Sequence, residues 1–298
     1  MAFPTEYVMC RRLSKQRNGV FWAAVFLWAA AALAAEPSQP PQSKSVANQS
    51  KRASAAEASA PSARSKPAPP HVVLVAYEDE YGAARTLRDF ARLLQQRYGC
   101  RTTLLVGEPE KDLPGLEVLD RADVLVLYVR RKALPAEQLQ QIRRYVEAGR
   151  PLVALRTASH AFTLRPGSPP TTKQQWPEFD KEVLGGNYHG HTGKQYPPPE
   201  IFVAPEAAKH PILAGVEPKK WRSGGTLYLV SPIDPKAAVL LWGQTGPHKE
   251  PVAWTRSYRG GRVFYTSLGH ADDFDHCPQF VRLLVQAVFW AMNRPTPN

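Results

Sequence analysis

The chain contains 298 residues, with a formal net charge of +12 and only three cysteines. Residues 1–70 contain nine Lys or Arg and three Asp or Glu, and the rest of the chain contains 29 and 23. Each part therefore has a net charge of +6, since 9 − 3 and 29 − 23 are both 6. The larger part is therefore only mildly basic and has no Lys/Arg-rich stripe or nucleic-acid-binding motif, so we do not expect DNA or RNA as a partner.

Residues 1–35 have the layout of a secretory signal peptide. A basic segment precedes an apolar run over residues 20–33, and small residues follow up to Ala35. The run is shorter than the ~20 residues that a membrane-spanning helix needs. We expect cleavage near Glu36 and a periplasmic or secreted protein. The alternative is an uncleaved membrane anchor.

Residues 36–70 consist mainly of Pro, Ser, Ala, Gln and Lys and contain no aromatic residue. Such a composition cannot bury enough apolar surface to offset the entropy that ordering would remove. We therefore predict a disordered linker over residues 36–70 and one domain over residues 71–298.

The first half of this domain alternates strands and helices. Continuously apolar, β-branched runs predict strands at residues 71–77, 101–107, 122–129 and 151–156. Apolar residues at helical spacing predict one helix that ends at Gly99 and another that begins at Pro135. This alternation predicts an α/β fold with a doubly wound, mostly parallel sheet.

The second half is richer in strands than in helices. Short apolar runs predict strands at residues 200–204, 226–230, 238–243, 251–258 and 261–268. The last two are predicted to form a hairpin around Arg259, Gly260 and Gly261. A final helix is predicted from Pro278 to Asn293. The domain therefore carries extra C-terminal strands.

Polar residues that follow the predicted strands are candidates for a site, because ligands of open α/β sheets bind beyond the carboxyl ends of the strands. Arg156 and His160 follow the fourth strand, and His270, Asp272 and Asp273 follow the last. Arg156 can pair with an acid or bind an anionic or keto oxygen. His270 with either aspartate can move a proton. The alternative for the two aspartates is capping of the last helix.

The stretch GGNYHGHTG (185–193) places His189 and His191 one residue apart between glycines. A turn needs only the glycines, so two imidazoles there indicate a ligand site. Neutral imidazole is a common zinc ligand. We expect His189 and His191, with His160 or His270, to bind a divalent metal such as zinc. The alternative is a metal-free hydrogen-bonding cluster that orients a sugar.

Trp176 and Tyr188 flank this histidine loop. Flat aromatic rings often stack on sugar faces while offering a polar tip for hydrogen bonding. Both residues are therefore predicted to contact a small-molecule carbohydrate.

Four segments together resemble the ThuA-like, or trehalose-utilisation, family. They are GRPLVALRTASHAF (149–162), FDKEVLGGNYHGHTG (179–193), KHPILAG (209–215) and PVAWTRSYRGGRVFYTSLGHADDF (251–274). The resemblance covers residues 71–293 and is strongest to secreted bacterial members. It implies a class I glutamine amidotransferase-like (flavodoxin-like) sheet and a role in breaking down disaccharides through sugars oxidised to keto forms.

Two departures from the family pattern bear on the site. Members often continue the histidine loop as H-G-H-H, whereas Thr192 takes the last position here. Others place an Asp-Glu pair before the tyrosine of a D-E-x-Y stretch, where this chain has Gly225, Thr226, Leu227 and Tyr228. A metal site in this chain would therefore have one fewer candidate ligand.

Amidotransferases of this fold carry a catalytic cysteine on the turn after a central strand. The equivalent turn here, residues 156–160, has no cysteine, so the chain is not expected to be a glutamine amidotransferase. Export would permit a disulfide between Cys100 and Cys277. Two free buried thiols are the alternative.

The leading hypothesis is an exported carbohydrate-active hydrolase or lyase that processes or binds a glycoside or an oxidised (keto) sugar. The predicted catalytic residues are Arg156, His160 and His270, and the predicted substrate-binding residues are Tyr188, Trp176, Asp272 and Asp273. The rival hypothesis is a non-catalytic carbohydrate-binding or accessory domain that has lost active-site ligands.

Overall fold

The structure is a computed structural model, and it describes residues 68–217 and 219–297. The predicted signal peptide, residues 1–35, and most of the predicted linker, residues 36–70, lie outside the described residues. Within the described ranges, no helix combines the length and the apolar character that crossing a membrane requires.

The first half of the domain is the predicted alternation of strands and helices. Its elements are β1 (His71–Tyr77), α1 (Ala83–Tyr98), β2 (Arg101–Val106), β3 (Val124–Val129), α2 (Ala136–Glu147) and β4 (Leu152–Leu155). Helix α1 ends where Gly99 adopts a φ of 64°, a left-handed conformation that commonly terminates helices. The four strands and two helices predicted here are confirmed.

The described residues of the second half form seven strands and two α-helices. They are β5 (Gly190–His191), β6 (Glu200–Val203), β7 (Lys220–Arg222), β8 (Tyr228–Leu229), β9 (Ala238–Thr245), β10 (His248–Tyr258), β11 (Gly261–Thr266), α3 (Ala271–His276) and α4 (Pro278–Ala291). The strand predicted over residues 226–230 is reduced to β8, which pairs with β5 outside the main sheet. Helix α4 stops at Ala291, before the predicted Asn293.

Nine strands form one sheet in the order β2-β1-β3-β4-β11-β10-β9-β6-β7. The first five strands in this order, from β2 to β11, are parallel to one another. The remaining four, β10, β9, β6 and β7, each run antiparallel to the preceding strand. Seven of the nine strands therefore point the same way. The predicted α/β architecture, mostly parallel with extra C-terminal strands, is confirmed.

Strand β11 is the last strand in the sequence, yet it lies in the middle of the sheet beside β4. Its residues Val263 to Thr266 are in register with Leu152 to Leu155. The chain segments that follow β4 and β11 consequently meet: a Cβ added to Gly269 would lie 3.7 Å from the Cβ of Arg156. This pairing brings two distant parts of the sequence to one edge of the sheet.

The predicted hairpin between β10 and β11 has a two-residue turn. Arg259 and Gly260 adopt φ values of 51° and 85°, and the flanking residues Tyr258 and Gly261 pair with each other. Positive φ at both central residues is typical of the type I′ turn, whose twist matches that of the strands.

Two hydrophobic layers cover the faces of the sheet. In β1, Val72 and Leu74 pack on the side of α1 and α4, whereas Val73 and Val75 pack on the side of α2, and all four are 0% exposed. This double burial explains the continuous apolar run in the sequence. The two cysteines of the domain are buried and free, so they form no disulfide.

Candidate functional site

Three adjoining cavities open at the carboxyl ends of the parallel strands, and together we call them the cleft. The arginine pocket, of about 350 Å³, is bounded by Glu80, Tyr81, Arg130, Arg131, His160, Arg165, Tyr188, His191 and Tyr228. The loop pocket, also of about 350 Å³, is bounded by residues that include Arg131, His160, Asp180, Tyr188 and His189. The strand-end pocket, of about 460 Å³, is bounded by residues that include Tyr81, Arg156, His191, Gly225 and His270.

Shared walls connect these pockets. Arg131, His160 and Tyr188 line both the arginine pocket and the loop pocket, and Tyr81 and His191 line both the arginine pocket and the strand-end pocket. Each volume falls within the range of roughly 300–1,000 Å³ that is usual for small-molecule sites. The cleft therefore has the position and the size of a ligand site in an open α/β sheet.

Arg156 occupies the strained turn directly after β4. Its φ is 41°, a left-handed conformation that is uncommon for residues other than glycine. Its carbonyl oxygen accepts hydrogen bonds from Tyr265 Oη at 2.8 Å and from Ser159 Oγ at 3.3 Å, and these bonds fix the turn. Strained backbone of this kind is frequent at functional sites.

The side chain of Arg156 is buried without an acidic partner. The residue is 1% exposed, and its guanidinium lies 4.3 Å from the ring centroid of Tyr81 and 4.8 Å from that of Tyr228. Nη1 donates to the carbonyl of Ser267 at 3.1 Å, whereas Nε has no partner. Gly225 makes room for the group, since a Cβ there would lie 2.6 Å from Nη1. Within the described ranges, no carboxylate lies at ion-pair distance from it.

His160 ends the same turn and is 7% exposed. Burial, and then the positive charge of Arg131 and other arginines, lowers the pKa of His160 to about 3, so the ring is neutral at neutral pH. Its ring stacks on Tyr188 at a centroid distance of 4.4 Å. Nδ1 lies 3.1 Å from Ser159 Oγ, and this hydroxyl also lies 3.3 Å from the Arg156 carbonyl oxygen. When the hydroxyl donates to the carbonyl, Nδ1 carries the imidazole hydrogen and Nε2 has the free lone pair; when it donates to Nδ1, the hydrogen is on Nε2.

The histidine loop folds over the strand ends because β5 pairs antiparallel with β8. His191 lies opposite Tyr228 in this pairing. Thr192, at the position where family members often have another histidine, is 4% exposed, and its Oγ1 accepts the N–H of Leu227 at 3.2 Å. Thr192 therefore has a structural role in holding the loop.

His189 and His191 are both exposed, and each makes its hydrogen bond through the same ring nitrogen. Their Nδ1 atoms lie 2.8 Å and 2.9 Å from the carbonyl oxygens of Asn187 and Thr192. Because a carbonyl can only accept a hydrogen bond, Nδ1 of each neutral ring carries the hydrogen and Nε2 has a free lone pair. However, His189 lines the loop pocket, whereas His191 lines the other two pockets.

His270 begins α3 and lines the strand-end pocket together with Arg156. Its Nδ1 accepts the N–H of Asp272 at 3.2 Å, so the hydrogen of its neutral ring is on Nε2. Its ring contacts Tyr81 edge-on at 5.6 Å. Asp272 itself is exposed, and its carboxylate lies 3.4 Å from His270 Nδ1.

Asp273 is completely buried, and the protein saturates its carboxylate. It accepts backbone N–H bonds from Gly269, His270 and Gly224 at 2.8, 3.0 and 2.8 Å, and a hydroxyl bond from Ser223 at 3.1 Å. These bonds cap α3 and tie two segments of the cleft wall together. Asp273 thus caps α3, which is the alternative to a substrate-binding role. Both of its carboxylate oxygens already accept hydrogen bonds from the protein.

Trp176 lies in the core and does not reach the cleft. It is 1% exposed, Phe162 and Phe179 pack against it at 6.5 and 5.0 Å, and the Arg143 guanidinium lies 3.8 Å from its ring. The predicted contact between Trp176 and a sugar is therefore corrected by the structure. Tyr188, in contrast, lines two pockets.

A buried carboxylate that the sequence does not single out lines the loop pocket. Asp180 is 7% exposed, and burial raises its pKa to about 7. Its Oδ2 accepts the N–H of Tyr188 at 2.7 Å, whereas Oδ1 has no partner. A Cβ on Gly186 would collide with it, which accounts for the glycine.

The structure also adds Tyr81, Arg131, Arg165 and Tyr228 to the predicted site. Sequence reasoning could have found three of these residues. Tyr81 and Arg131 follow predicted strands, and Tyr228 ends the stretch that corresponds to D-E-x-Y. Arg165 lies in a loop that carries no sequence signal.

Among residues 68–217 and 219–297, no three His, Cys, Asp or Glu side chains are placed to share a metal ion. The bonds from Nδ1 of His189 and His191 to carbonyls are the kind that often orient metal-binding imidazoles. The two rings nevertheless line different pockets. Metal binding therefore stays a prediction.

Comparisons with known proteins agree with this architecture. In structure, the chain resembles a ThuA-like protein from Bacteroides uniformis, with 17% identity, a TM-score of 0.58, and 78% of this chain and 95% of that chain covered. It also resembles a ThuA-like protein from Parabacteroides merdae, with 18% identity, a TM-score of 0.57, and 78% and 93% covered. At these identities, the likeness supports the fold alone.

No curated protein is significantly similar to the chain in sequence. The sequence model of the ThuA family, described as trehalose utilisation, matches residues 72–291, which is most of the chain. The protein therefore belongs to the ThuA family.

Proposed function

We propose that the protein is an exported enzyme that binds an oxidised (keto) sugar or glycoside in the cleft and removes a proton next to the carbonyl. The observation that carries this proposal is a neutral, buried His160, with Nδ1 in contact with Ser159 Oγ, on the same turn as the buried cation Arg156. Both follow β4, at the sheet edge where such folds bind ligands. Membership in a family described by trehalose utilisation supports a sugar as the ligand.

His160 is suited to act as the base. Its lowered pKa keeps the ring unprotonated at neutral pH, although it also weakens the ring as a base. In the tautomer that the proposal requires, Nδ1 donates to Ser159 Oγ and Nε2 is the available nitrogen. An imidazole in this state can accept a proton from carbon when the bound substrate places that carbon within hydrogen-bond reach.

Arg156 and the surrounding phenols are suited to stabilise the negative charge that forms on the carbonyl oxygen. Burial raises the pKa of Tyr228 and of Tyr188, so both hydroxyls stay protonated and can donate hydrogen bonds. The ring of Tyr228 lies 6.0 Å from His160 and 4.8 Å from the Arg156 guanidinium. Cationic and hydroxyl donors placed in advance are an effective way to stabilise a developing oxyanion.

The proposed reaction is an elimination that needs no oxidant or reductant. In a sugar with its carbonyl at C3, the C2 hydrogen is acidic and the C1–O bond lies β to the carbonyl. His160 Nε2 takes the C2 proton, and the electrons of the C2–H bond form an enolate. The enolate electrons then form the C1=C2 bond, the C3 carbonyl is restored, and the C1–O bond breaks. The departing alcohol takes a proton from the imidazolium or from a tyrosine.

A binding-only role is the second candidate, and Thr192 favours it. Where relatives often have a histidine, this chain has a buried threonine that holds the backbone. A cleft that had lost a necessary ligand could still bind sugars through Tyr81, Tyr188 and Tyr228, since tyrosine rings stack on sugar faces.

The test uses p-nitrophenyl glucoside oxidised to a ketone at C3, with the unoxidised glucoside for comparison. We expect p-nitrophenol release and solvent deuterium exchange at C2 from the oxidised compound. His160→Gln should lower both rates by roughly 10²–10⁴-fold, the usual contribution of an acid–base residue. His276→Gln, at an exposed histidine of α3, is the matched control and should leave both rates unchanged.

Equal rates in His160→Gln and wild type would refute the proposed base. Binding of the oxidised glucoside by calorimetry, without release or exchange, would instead support the binding-only role. Elemental analysis of the purified protein, with His189→Ala and His191→Ala beside the wild type, tests the predicted metal separately.

A further inference from the structure

Positive charge in the cleft exceeds what its acidic residues can balance. Five cations line the arginine and strand-end pockets, and they are Arg130, Arg131, Arg165, Arg156 and Lys194. The carboxylate that lines both pockets is Glu80, which pairs with Arg130 and accepts a hydrogen bond from Tyr81 Oη at 3.1 Å. In the part of the chain that the structure describes, the other four cations have no carboxylate at ion-pair distance.

Arg156 is not an ordinary solvated charge. It is 1% exposed, and of its five N–H groups only one has a hydrogen-bond acceptor among the described residues, the Ser267 carbonyl. The rings of Tyr81 and Tyr228 stabilise the cation from either side, but a ring face gives no acceptor for the in-plane N–H groups. Burial disfavours the charge of Arg156, but Tyr228 and other tyrosines, with Asp273, more than offset this and raise its pKa. The cation is therefore retained in the cleft, where its unpaired N–H groups can bind an anionic ligand.

Arg131 and Arg165 extend the same charge along the arginine pocket. Arg131 is half-buried, and its hydrogen bond to the Thr163 carbonyl is long, at 3.4 Å. Burial lowers the pKa of Arg131; Tyr188 opposes this shift, and the positive charges of Arg165 and Arg130 add to it. Arg165 is exposed and can move to meet a ligand.

We propose that the sugar bound in the cleft carries an anionic group, a carboxylate or a phosphate, which Arg131 and Arg165 hold in the arginine pocket, while Arg156 adds its charge from the adjoining strand-end pocket. The nature of the ligand as a sugar rests on the proposed function, whereas its charge rests on the arginines alone. Guanidinium groups bind carboxylate and phosphate oxygens through paired hydrogen bonds, which a neutral hydroxyl cannot match in charge.

An anion in this position would also act on His160. The same arginines lower the pKa of His160, so a negative group beside them offsets part of their effect and makes Nε2 a stronger base. Recognition of the charge and activation of the base would then be coupled in one site.

The experiment compares three probes by calorimetry: methyl glucuronide, glucose 6-phosphate and the neutral methyl glucoside. We expect one charged probe to bind at least ~10-fold more tightly than the neutral one, a difference of about 1.4 kcal/mol. Comparing the glucuronide with the phosphate identifies which anion the cleft takes. The preference should weaken as ionic strength rises from ~0.02 M to ~0.3 M, because salt screens partly exposed charges.

Arg131→Gln and Arg165→Gln should each remove most of this preference. Because the Arg165 side chain is exposed, Arg165→Gln should not destabilise the fold. Arg97→Gln, at an exposed arginine in the last turn of α1, is the matched control and should keep the preference. Equal affinity for charged and neutral probes would overturn the proposal. So would a preference that persists in both pocket variants, because the anion would then bind elsewhere.

Turnover of the oxidised p-nitrophenyl glucoside separates this proposal from the proposed function. Turnover without any preference for charged probes leaves the proposed function standing and overturns the anionic ligand. Arginine-dependent binding of a charged probe supports the anionic ligand. It overturns the proposed chemistry if the oxidised glucoside is not turned over and neither p-nitrophenyl glucuronide nor p-nitrophenyl glucoside 6-phosphate, each oxidised at C3, is turned over.

Discussion

His160 should make the fold sensitive to acid. In the unfolded chain its imidazole has an ordinary pKa near 6.5, whereas burial and the nearby arginines lower the pKa to about 3 in the folded protein. Between these values the unfolded state binds a proton that the folded state does not. The contribution of His160 to stability is therefore complete above pH 6.5 and is lost as the pH falls towards 3.

The size of this loss follows from the pKa values. Each pH unit below about 6.5 lowers the free energy of unfolding by up to about 1.4 kcal/mol, so at pH 4.5 the loss is about 2–3 kcal/mol. In His160→Gln this loss is absent. Urea unfolding at pH 7.5 and pH 4.5 should show that the wild type loses about 2–3 kcal/mol more than the variant between the two conditions.

His276→Gln is the control, because it removes an exposed histidine and should behave as the wild type does. Titration of the His160 ring by NMR in the wild-type protein provides a second measurement that does not depend on a variant. Equal acid losses in wild type and His160→Gln, or a ring that titrates near pH 6.5, would refute the reasoning.

Four further predictions can be tested directly. Asp273→Ala should lower the free energy of unfolding by about 2–4 kcal/mol, because several donors lose their acceptor; a loss under ~1 kcal/mol in urea unfolding would contradict this. Burial raises the pKa of Asp180 from 3.8 to about 7, so the contribution of Asp180 to stability should fall as pH rises between these values; in thermal melts, the stability of Asp180→Asn relative to the wild type should be greater at pH 7.5 than at pH 4.5. Cys100→Ser and Cys277→Ser should keep the activity of the wild type, and a loss of turnover in a folded variant would indicate a thiol mechanism. N-terminal sequencing of the exported protein should begin near Glu36, and retention of the initial methionine would contradict cleavage.

Most of the sheet could be predicted because strands buried on both faces must be continuously apolar. The run at residues 71–77 is an example, since neighbouring residues of β1 pack in opposite layers. The predicted strand at residues 226–230 was too long for a physical reason. The side chains of Leu227 and Val230 are buried in different layers. Among the described strands, however, β5 is the only one that pairs with this segment. Apolar content reports burial, whereas strand pairing depends on a distant partner.

The candidate site residues that directly follow strands could be predicted from the sequence. That rule located Arg156, His160 and His270, which all line the cleft. It could not show that Trp176 is enclosed by Phe162 and Arg143, because a tryptophan near a polar loop looks the same in sequence whether its ring is buried or exposed.

The central position of β11 has a consequence for how the molecule is made. The hydrogen bond between Tyr265 of β11 and the Arg156 carbonyl joins residues 109 positions apart. Until β11 pairs with β4, β4 has no partner on one side and the turn at Arg156 lacks this support. Contacts between residues so far apart in sequence form slowly. We therefore expect the cleft to assemble late in folding.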